Sequence, residues 1–383
     1  MKRVLWVCEF PALNGAERSL LATLPGIRAC GYEPVALAPS SGPLREALEQ
    51  EHVEVVGFEM RAAATGDRRT QPELRRALCS VFTRLSPALI HANSLSMGRL
   101  CGPVAVKAGL PIVAHLRDIV RMSATAVADL NRCDRLFAVS GAVRDFHLAG
   151  GVDASRVVVL YNGVDLGAFR PDASTGYLQR ELGLPADARL ISTIGQIGLR
   201  KGQDVLVEAL AHVAARHPDV HLLIVGERHS QKDEARRFEF ELRDRVASSG
   251  FAERVHWLGN RKDVACLLRE LTLVAHAARQ EPLGRVLLEA AASGCATIAT
   301  EVGGTAEIFP ASVNAGCLVP ADDVRALVNA LDRLLTDPAL RSALGQRARA
   351  VAVERFDVGL ASQKLAGAYD EVLRVAATCS GGV

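Results

Sequence analysis

LVAHAARQEPLGRVLLEAAASGCATIAT, from Leu273 to Thr300, reads as a strand, a turn, a helix and a second strand. Leu273–Ala277 and Ala296–Thr300 are short, mainly apolar runs, broken only by His276, Thr297 and Thr300, with apolar residues on both faces. Such runs suit strands buried on both faces of a parallel sheet covered by helices. Pro282 and Gly284 near the start and Gly294 at the end bracket one helix between them. Amides around Leu283 to Val286 would lie at the helix N-terminus, where an anion such as phosphate is favoured. Glu281 sits in the loop before the helix. Glu289 falls inside the apolar run Val286 to Ala292, where an unpaired charge is costly, so it needs a partner.

The same alternation extends in both directions. In the second half, Leu190–Ile194, His221–Val225, Val255–Leu258 and Gly316–Val319 join the two strands above. In the first half, Val4–Val7, Pro34–Ala38, Val53–Phe58, Ala88–His91, Pro111–His115, Arg135–Val139 and Val157–Leu160 read as strands. Helical patterns between them cover Ala16–Cys30, Leu44–Glu51, Pro72–Leu85, Met97–Ala108 and Gly141–Ala149. This is the pattern of a doubly wound α/β domain, met twice. Asn162-Gly163-Val164-Asp165, with Pro171 just beyond, makes a linker. The expected organisation is one α/β domain over 1–165, a second over 166–355, and a long amphipathic helix and tail over 356–383. Two such domains facing each other would leave a cleft, with ligands outside the carboxyl ends of the strands.

Composition fits this reading. Of 383 residues, 49% are apolar and 23% charged, which argues against disorder. Forty-five basic and 43 acidic residues give a net charge of +2, which exerts no global pull on nucleic acid. An anionic ligand must therefore be met locally. The nine cysteines are widely spaced without a C-x-x-C pair, as in a reduced, cytosolic protein rather than a disulfide scaffold or zinc site. The N-terminal apolar run is too short for a signal peptide, and none approaches the ~18–20 residues that span a bilayer. A basic stretch with Arg61, Arg68, Arg69, Arg75, Arg76 and Arg84 is a solvated face or a peripheral contact with anionic lipid.

Two further loops lie at the ends of first strands. After Val4–Val7 comes Asn14-Gly15-Ala16-Glu17, a glycine turn and a helix start that lets backbone approach a ligand. It is not G-x-G-x-x-G, so a dinucleotide site is poorly supported. After Leu190–Ile194 comes GQIGLRKG, residues 195–202. Its Arg200 and Lys201 suit a diphosphate: Arg can grip two phosphate oxygens and Lys supplies a compact charge.

EPLGRVLLEAAASG, with Glu281 and Glu289 eight apart, followed by ATIATEVGGTAEI, resembles family 4 of the retaining glycosyltransferases, whose fold is GT-B. NGAERSLL around Gly15, VAHLRD around His115, YNGVD around Asn162 and GQIGLRKG extend the resemblance over nearly the whole chain. It implies transfer of a sugar, hexose-type, from a UDP- or GDP-sugar to a hydroxyl of a carbohydrate, lipid-linked or small-molecule acceptor, in making cell-surface glycan or glycoconjugate. It implies no metal and no cofactor, no nucleic-acid partner, and a cytoplasmic location that extends to the inner membrane face. Arg200 and Lys201 would bind the diphosphate, and Glu289 the ribose. Glu281 would contact the sugar and His115 would lie beside it. Gly15, Gly226, Leu283, Gly284, Arg285 and Val286 would complete the donor site. Asn93, Arg117 and Asp118 are candidates for the acceptor. The final helix would cross back to the first domain. Asn14 replaces a family glycine, Leu283 stands where an aromatic is common, and Arg285 adds a third cation. A sugar-nucleotide epimerase or phosphorylase on the same fold, or a non-catalytic two-lobed sugar-binding protein, are the rival readings.

Overall fold

The computed structural model describes residues 1–60, 67 and 69–380, with no side-chain account of 379 and 380. It divides into two compact units, Met1–Gly163 with Val358–Val383, and Val164–Asp357.

The first unit holds a seven-stranded sheet of β1 (Lys2–Val7), β2 (Tyr32–Ala38), β3 (Glu54–Gly57), β4 (Leu89–Ala92), β5 (Ile112–Leu116), β6 (Arg135–Ala138) and β7 (Val157–Val159). Its order is β3-β2-β1-β4-β5-β6-β7, and neighbouring strands pair in parallel. Strands β4 and β5 are buried end to end, as strands apolar on both faces require, and each carries one buried histidine, His91 and His115. The second unit repeats the arrangement with six parallel strands: β8 (Arg189–Ile194), β9 (Val220–Val225), β10 (Val255–Gly259), β11 (Leu273–His276), β12 (Thr297–Thr300) and β13 (Cys317–Val319). The order is β10-β9-β8-β11-β12-β13. Strand order therefore reverses between β1 and β4 in one sheet and between β8 and β11 in the other. Those two switch points are where ligands of open α/β sheets bind.

The stretch expected as one helix over Ala16–Cys30 is two, Gly15–Ala22 and Leu24–Ala29. Pro25 is the cause. It has no amide for a bond to Leu21, and its ring would strike that carbonyl, so it is accommodated in the first turn of a new helix. A short helix, Ala124–Leu130, escaped the periodicity reading; Ser123 caps it by accepting from the Ala126 amide. The last helix, Val358–Ser380, packs on Leu24–Ala29 within the first unit. A Cβ on Gly26 would lie 2.4 Å from that of Ser362, so glycine is what lets the helices meet. Tyr369 from this helix is fully buried in the core with Trp6, Tyr32 and Phe137.

Of the basic stretch, Arg61 and Arg68 lie outside the described residues. Arg75 is tied to Asp129 at 2.5 Å, and so belongs to the domain's own packing. Burial pushes the thiols of Cys8, Cys101 and Cys295 up to about 12, which leaves them unreactive. Among the described residues no helix is long and apolar enough to cross a membrane.

Candidate active site

The carboxyl end of β8 in the second unit runs through Gly195 into the short turn Leu199–Lys201. Two glycines make this turn possible. Gly202 has φ 62°, and a Cβ there would lie 1.9 Å from the Ala277 carbonyl oxygen. Gly226, after β9, has φ 126°, and a Cβ would lie 2.1 Å from the Gly195 oxygen. Gly226 thus serves the close approach of two loops, a packing role that the donor-site expectation did not contain. Arg279, after β11, fastens the turn from the other side. Its amide donates to the Arg200 carbonyl at 2.9 Å, and its guanidinium to the Leu199 carbonyl at 2.7 Å and to both carboxylate oxygens of Asp204.

Held this way, Lys201 reaches Glu281. Nζ donates to Oε2 at 2.5 Å, with both side chains nearly buried, and Arg200 Nη1 lies 4.0 Å from Oε1. Arg200 is half-exposed and also donates to the Gln280 carbonyl at 3.0 Å. His276, the last residue of β11, meets the same Oε2 at 2.9 Å. Burial works against the charge of Glu281, but Lys201, then the His276 hydrogen bond and Arg200, outweigh it and hold the carboxyl well below its usual range. Burial, and next the nearby Lys201, push His276 below the usual histidine range, so it is neutral and donates Nε2–H to the carboxylate.

The helix Arg285–Ala292 starts from Gly284, whose φ of 95° turns the chain out of the loop. Arg285 Nε donates to Glu289 Oε1 at 2.7 Å, one turn along. Glu289, read as needing a partner, has this one, and the third cation is held by a carboxylate. The Leu283 side chain is buried, so only its backbone is at hand for a ligand. Val286 lies in the first turn beside it.

In the first unit, Gly15 opens the helix after β1. Its backbone is not in the left-handed region, and nothing lies within 4 Å of a Cβ built on it. Neither strain nor packing among the described residues calls for glycine there. Two residues on, Glu17 is buried. Burial raises its carboxyl above the ordinary range against hydrogen bonds from its own amide and that of Asn14. His115 on β5 places Nδ1 2.7 Å from His91 Nε2, and His91 Nδ1 lies 2.5 Å from the Tyr369 hydroxyl. Burial, then the Arg117 charge, lowers His91 to about 3 and His115 well below its usual value, so both rings are neutral. Arg117 donates to the Asn93 carbonyl at 3.0 Å, to Asn93 Oδ1 at 2.9 Å and to Asn162 Oδ1 at 2.8 Å. Asn93 and Arg117 are thus buried partners, with Asn162 beside them. Asp118 is exposed, and its carbonyl accepts from His147 Nε2 at 2.8 Å. His115, Arg117 and Asn162 line one pocket together with Ser19 and Tyr161.

The sequence reading missed His276, Arg279 and His91. Their common signal was position: His276 and His91 are polar residues near the carboxyl ends of strands flanking a switch point, and Arg279 lies in the loop that follows one.

Comparison with known proteins agrees with this architecture. Residues 13–168 match the model described as Glycosyltransferase Family 4, and residues 177–351 that described as Glycosyl transferases group 1. The chain is 27% identical over 320 residues to a lipopolysaccharide core biosynthesis mannosyltransferase, LpsB, of Rhizobium meliloti, covering 79% of this chain and 88% of that one. It is 29% identical over 318 residues to a D-inositol 3-phosphate glycosyltransferase of Corynebacterium kroppenstedtii, covering 76% of this chain and 68% of that one. Among solved structures, Anabaena Alr3699/HepE in complex with UDP and glucose is similar at TM-score 0.84 and 26% identity, over 97% of this chain and 100% of that one. Two doubly wound parallel-sheet domains, matched along their length in this way, define a glycosyltransferase of the GT-B fold. Within that class the chain belongs to the family 4 type.

Proposed function

We propose that this protein is a retaining, metal-independent hexosyltransferase that takes its sugar from a UDP- or GDP-sugar and passes it to an acceptor hydroxyl in glycan or glycoconjugate synthesis. The observation that carries the proposal is the Arg200–Lys201 turn beside Glu281 and the N-terminal end of the helix Arg285–Ala292, at the switch point between β8 and β11. The solved relative bound to UDP and glucose, and the relative named as a mannosyltransferase, support the substrate class.

Breaking the bond between the anomeric carbon and the β-phosphate develops an oxocarbenium-like sugar and a diphosphate. The ammonium of Lys201 has three N–H donors, of which Glu281 takes one. The others, with the fork of Arg200 and the helix amides, stabilise the departing diphosphate in the place a divalent cation would otherwise occupy. The acceptor hydroxyl attacks from the face the diphosphate leaves and gives its proton to the departing phosphate oxygen. Glu281, locked in ion pairs, holds sugar hydroxyls and is not a nucleophile. Glu289 holds the ribose, and Gly15 allows backbone to approach the donor. Asn93 and Arg117 shape the acceptor side.

A thermal-shift screen of UDP, GDP, ADP and their sugars should raise the melting temperature for one nucleotide family, because a ligand that binds only the folded state stabilises it. NMR of the product formed with that donor should show the donor's anomeric configuration. An inverted product removes the retaining mechanism, and sugar release or epimerisation without an acceptor removes transfer itself.

A further inference from the structure

His115 has one ring nitrogen committed and one available. Nδ1 faces His91, whereas Nε2 has no protein hydrogen bond among the described residues, and the ring lines the pocket with Ser19 and Tyr161. A neutral imidazole carries one ring proton, so its position decides whether the pocket meets a donor or an acceptor. The hydrogen bonds behind His115 must therefore run in a single direction.

Two buried groups set that direction. The indole N–H of Trp6 can only donate. Among the described residues it is buried with no acceptor in hydrogen-bond geometry; burial pushes the Tyr369 hydroxyl up, and the nearby indole N–H works against that push. The one hydrogen-bond partner of the Tyr369 oxygen among the described residues is His91 Nδ1. If that nitrogen donated, the oxygen would face two N–H groups, and its own O–H would be buried with no acceptor. An unmade bond of that kind costs the desolvation of the donor. If Tyr369 donates instead, its O–H and both ring nitrogens of His91 are satisfied, as is His115 Nδ1. Phe137 packs edge-on against both imidazoles, at 6.1 Å from the His91 ring and 5.4 Å from the His115 ring, and so holds them in place.

We infer that Trp6 and Tyr369 fix the tautomer of His115 through His91. The Tyr369 O–H donates to His91 Nδ1, His91 Nε2–H donates to His115 Nδ1, and His115 presents Nε2–H to the pocket. No proton is transferred; two hydrogen bonds set an orientation. Resting on the glycosyl-transfer reading, this makes His115 a donor to a sugar oxygen and excludes it as a general base. Trp6, His91 and Tyr369 are then positioning residues, and Tyr369 gives the final helix a part in the site.

The test is long-range 1H–15N NMR of the imidazoles in the full-length, uniformly labelled protein near pH 7.5, with signals assigned by their loss in His115→Asn and His91→Asn. The expected result is a proton on Nε2 and none on Nδ1 for both rings. Tyr369→Phe keeps the ring and removes the O–H, and should turn the His115 signals into those of mixed tautomers. Trp6→Phe keeps the phenol and should shift the same signals in the same direction, and it carries the test alone if Tyr369→Phe does not fold. Turnover in these variants should fall at least about twofold, with the fraction of molecules in the competent tautomer. A His115 proton on Nδ1 in the natural protein, or His115 signals unmoved by the substitutions, overturns the inference. The spectra need no substrate, so this failure is distinct from a failure of the glycosyl-transfer reading.

Discussion

The switch points of the two sheets are built from one topology and filled with opposite chemistry. In the second unit, Lys201, Arg200 and Glu281 form a cluster of ions, with Arg285–Glu289 as a second pair on the adjoining helix. In the first unit, His91, His115 and Tyr369 form a line of neutral groups, and burial is what keeps the two rings uncharged. A strand end supplies position only; the side chains decide whether a site handles charge or hydroxyls. Fixed cations suit a leaving diphosphate, and fixed neutral donors suit a sugar.

The largest expected effect breaks the charged side. Arg200→Ala with Lys201→Ala should lower kcat/KM for transfer by at least about a thousandfold, because more than one donor to the departing group is lost. His115→Asn in the first unit should lower it only about tenfold, the worth of one neutral hydrogen bond. Steady-state kinetics on both variants, with circular dichroism to confirm folding, decide the matter. Equal losses would erase the proposed division between charge and hydroxyl chemistry.

Acid should next test the neutral rings of the first unit. His91 has an ordinary value of 6.5 and is lowered to about 3 in the folded protein. Between those values the unfolded chain binds the proton and the folded one does not, so stability falls as pH drops below 6.5. At pH 5 the loss from His91 alone is about 2 kcal/mol. Glu281 is depressed from 4.5, so its contribution is complete above that value and fades only below it. Urea unfolding at pH 7 and pH 5 should show a loss that shrinks in His91→Asn and persists in Glu281→Gln. A loss that does not shrink in His91→Asn would mean that His91 is not the group that acid reaches in this range.

How much of this was legible depended on distance along the chain. The strands were readable because a run apolar on both faces has few uses other than a covered parallel sheet. The Arg200–Lys201 turn and Glu281 were readable as chemistry because glycines and charges punctuate apolar strands. That Lys201 is paired with Glu281, 80 residues away, was not, since only the adjacency of β8 and β11 brings them together. His91 and Tyr369 lie 278 residues apart and meet because the last helix packs in the first unit. Arg285 and Glu289 were the reverse case. Their spacing of four on a helix is that of an ion pair, whereas the expectation from sequence assigned Glu289 to the ribose and Arg285 to the donor site.

The smallest effect concerns two kinds of glycine. Gly202 and Gly226 in the second unit are required by the chain itself, since a Cβ would strike backbone at 1.9 and 2.1 Å. Gly15 in the first unit meets neither constraint, because the space around its Cβ position is open. Replacing it with alanine should leave stability the same or raise it by up to about 1 kcal/mol, since alanine is the better helix residue. If the open space receives the donor, Gly15→Ala should nevertheless lower kcat/KM about tenfold, the effect of one displaced contact of about 1.4 kcal/mol. Melting temperature and kinetics measured on the same preparation separate the two quantities. Unchanged kinetics would mean that ligand does not enter that space, and Gly15 would then be an ordinary turn residue.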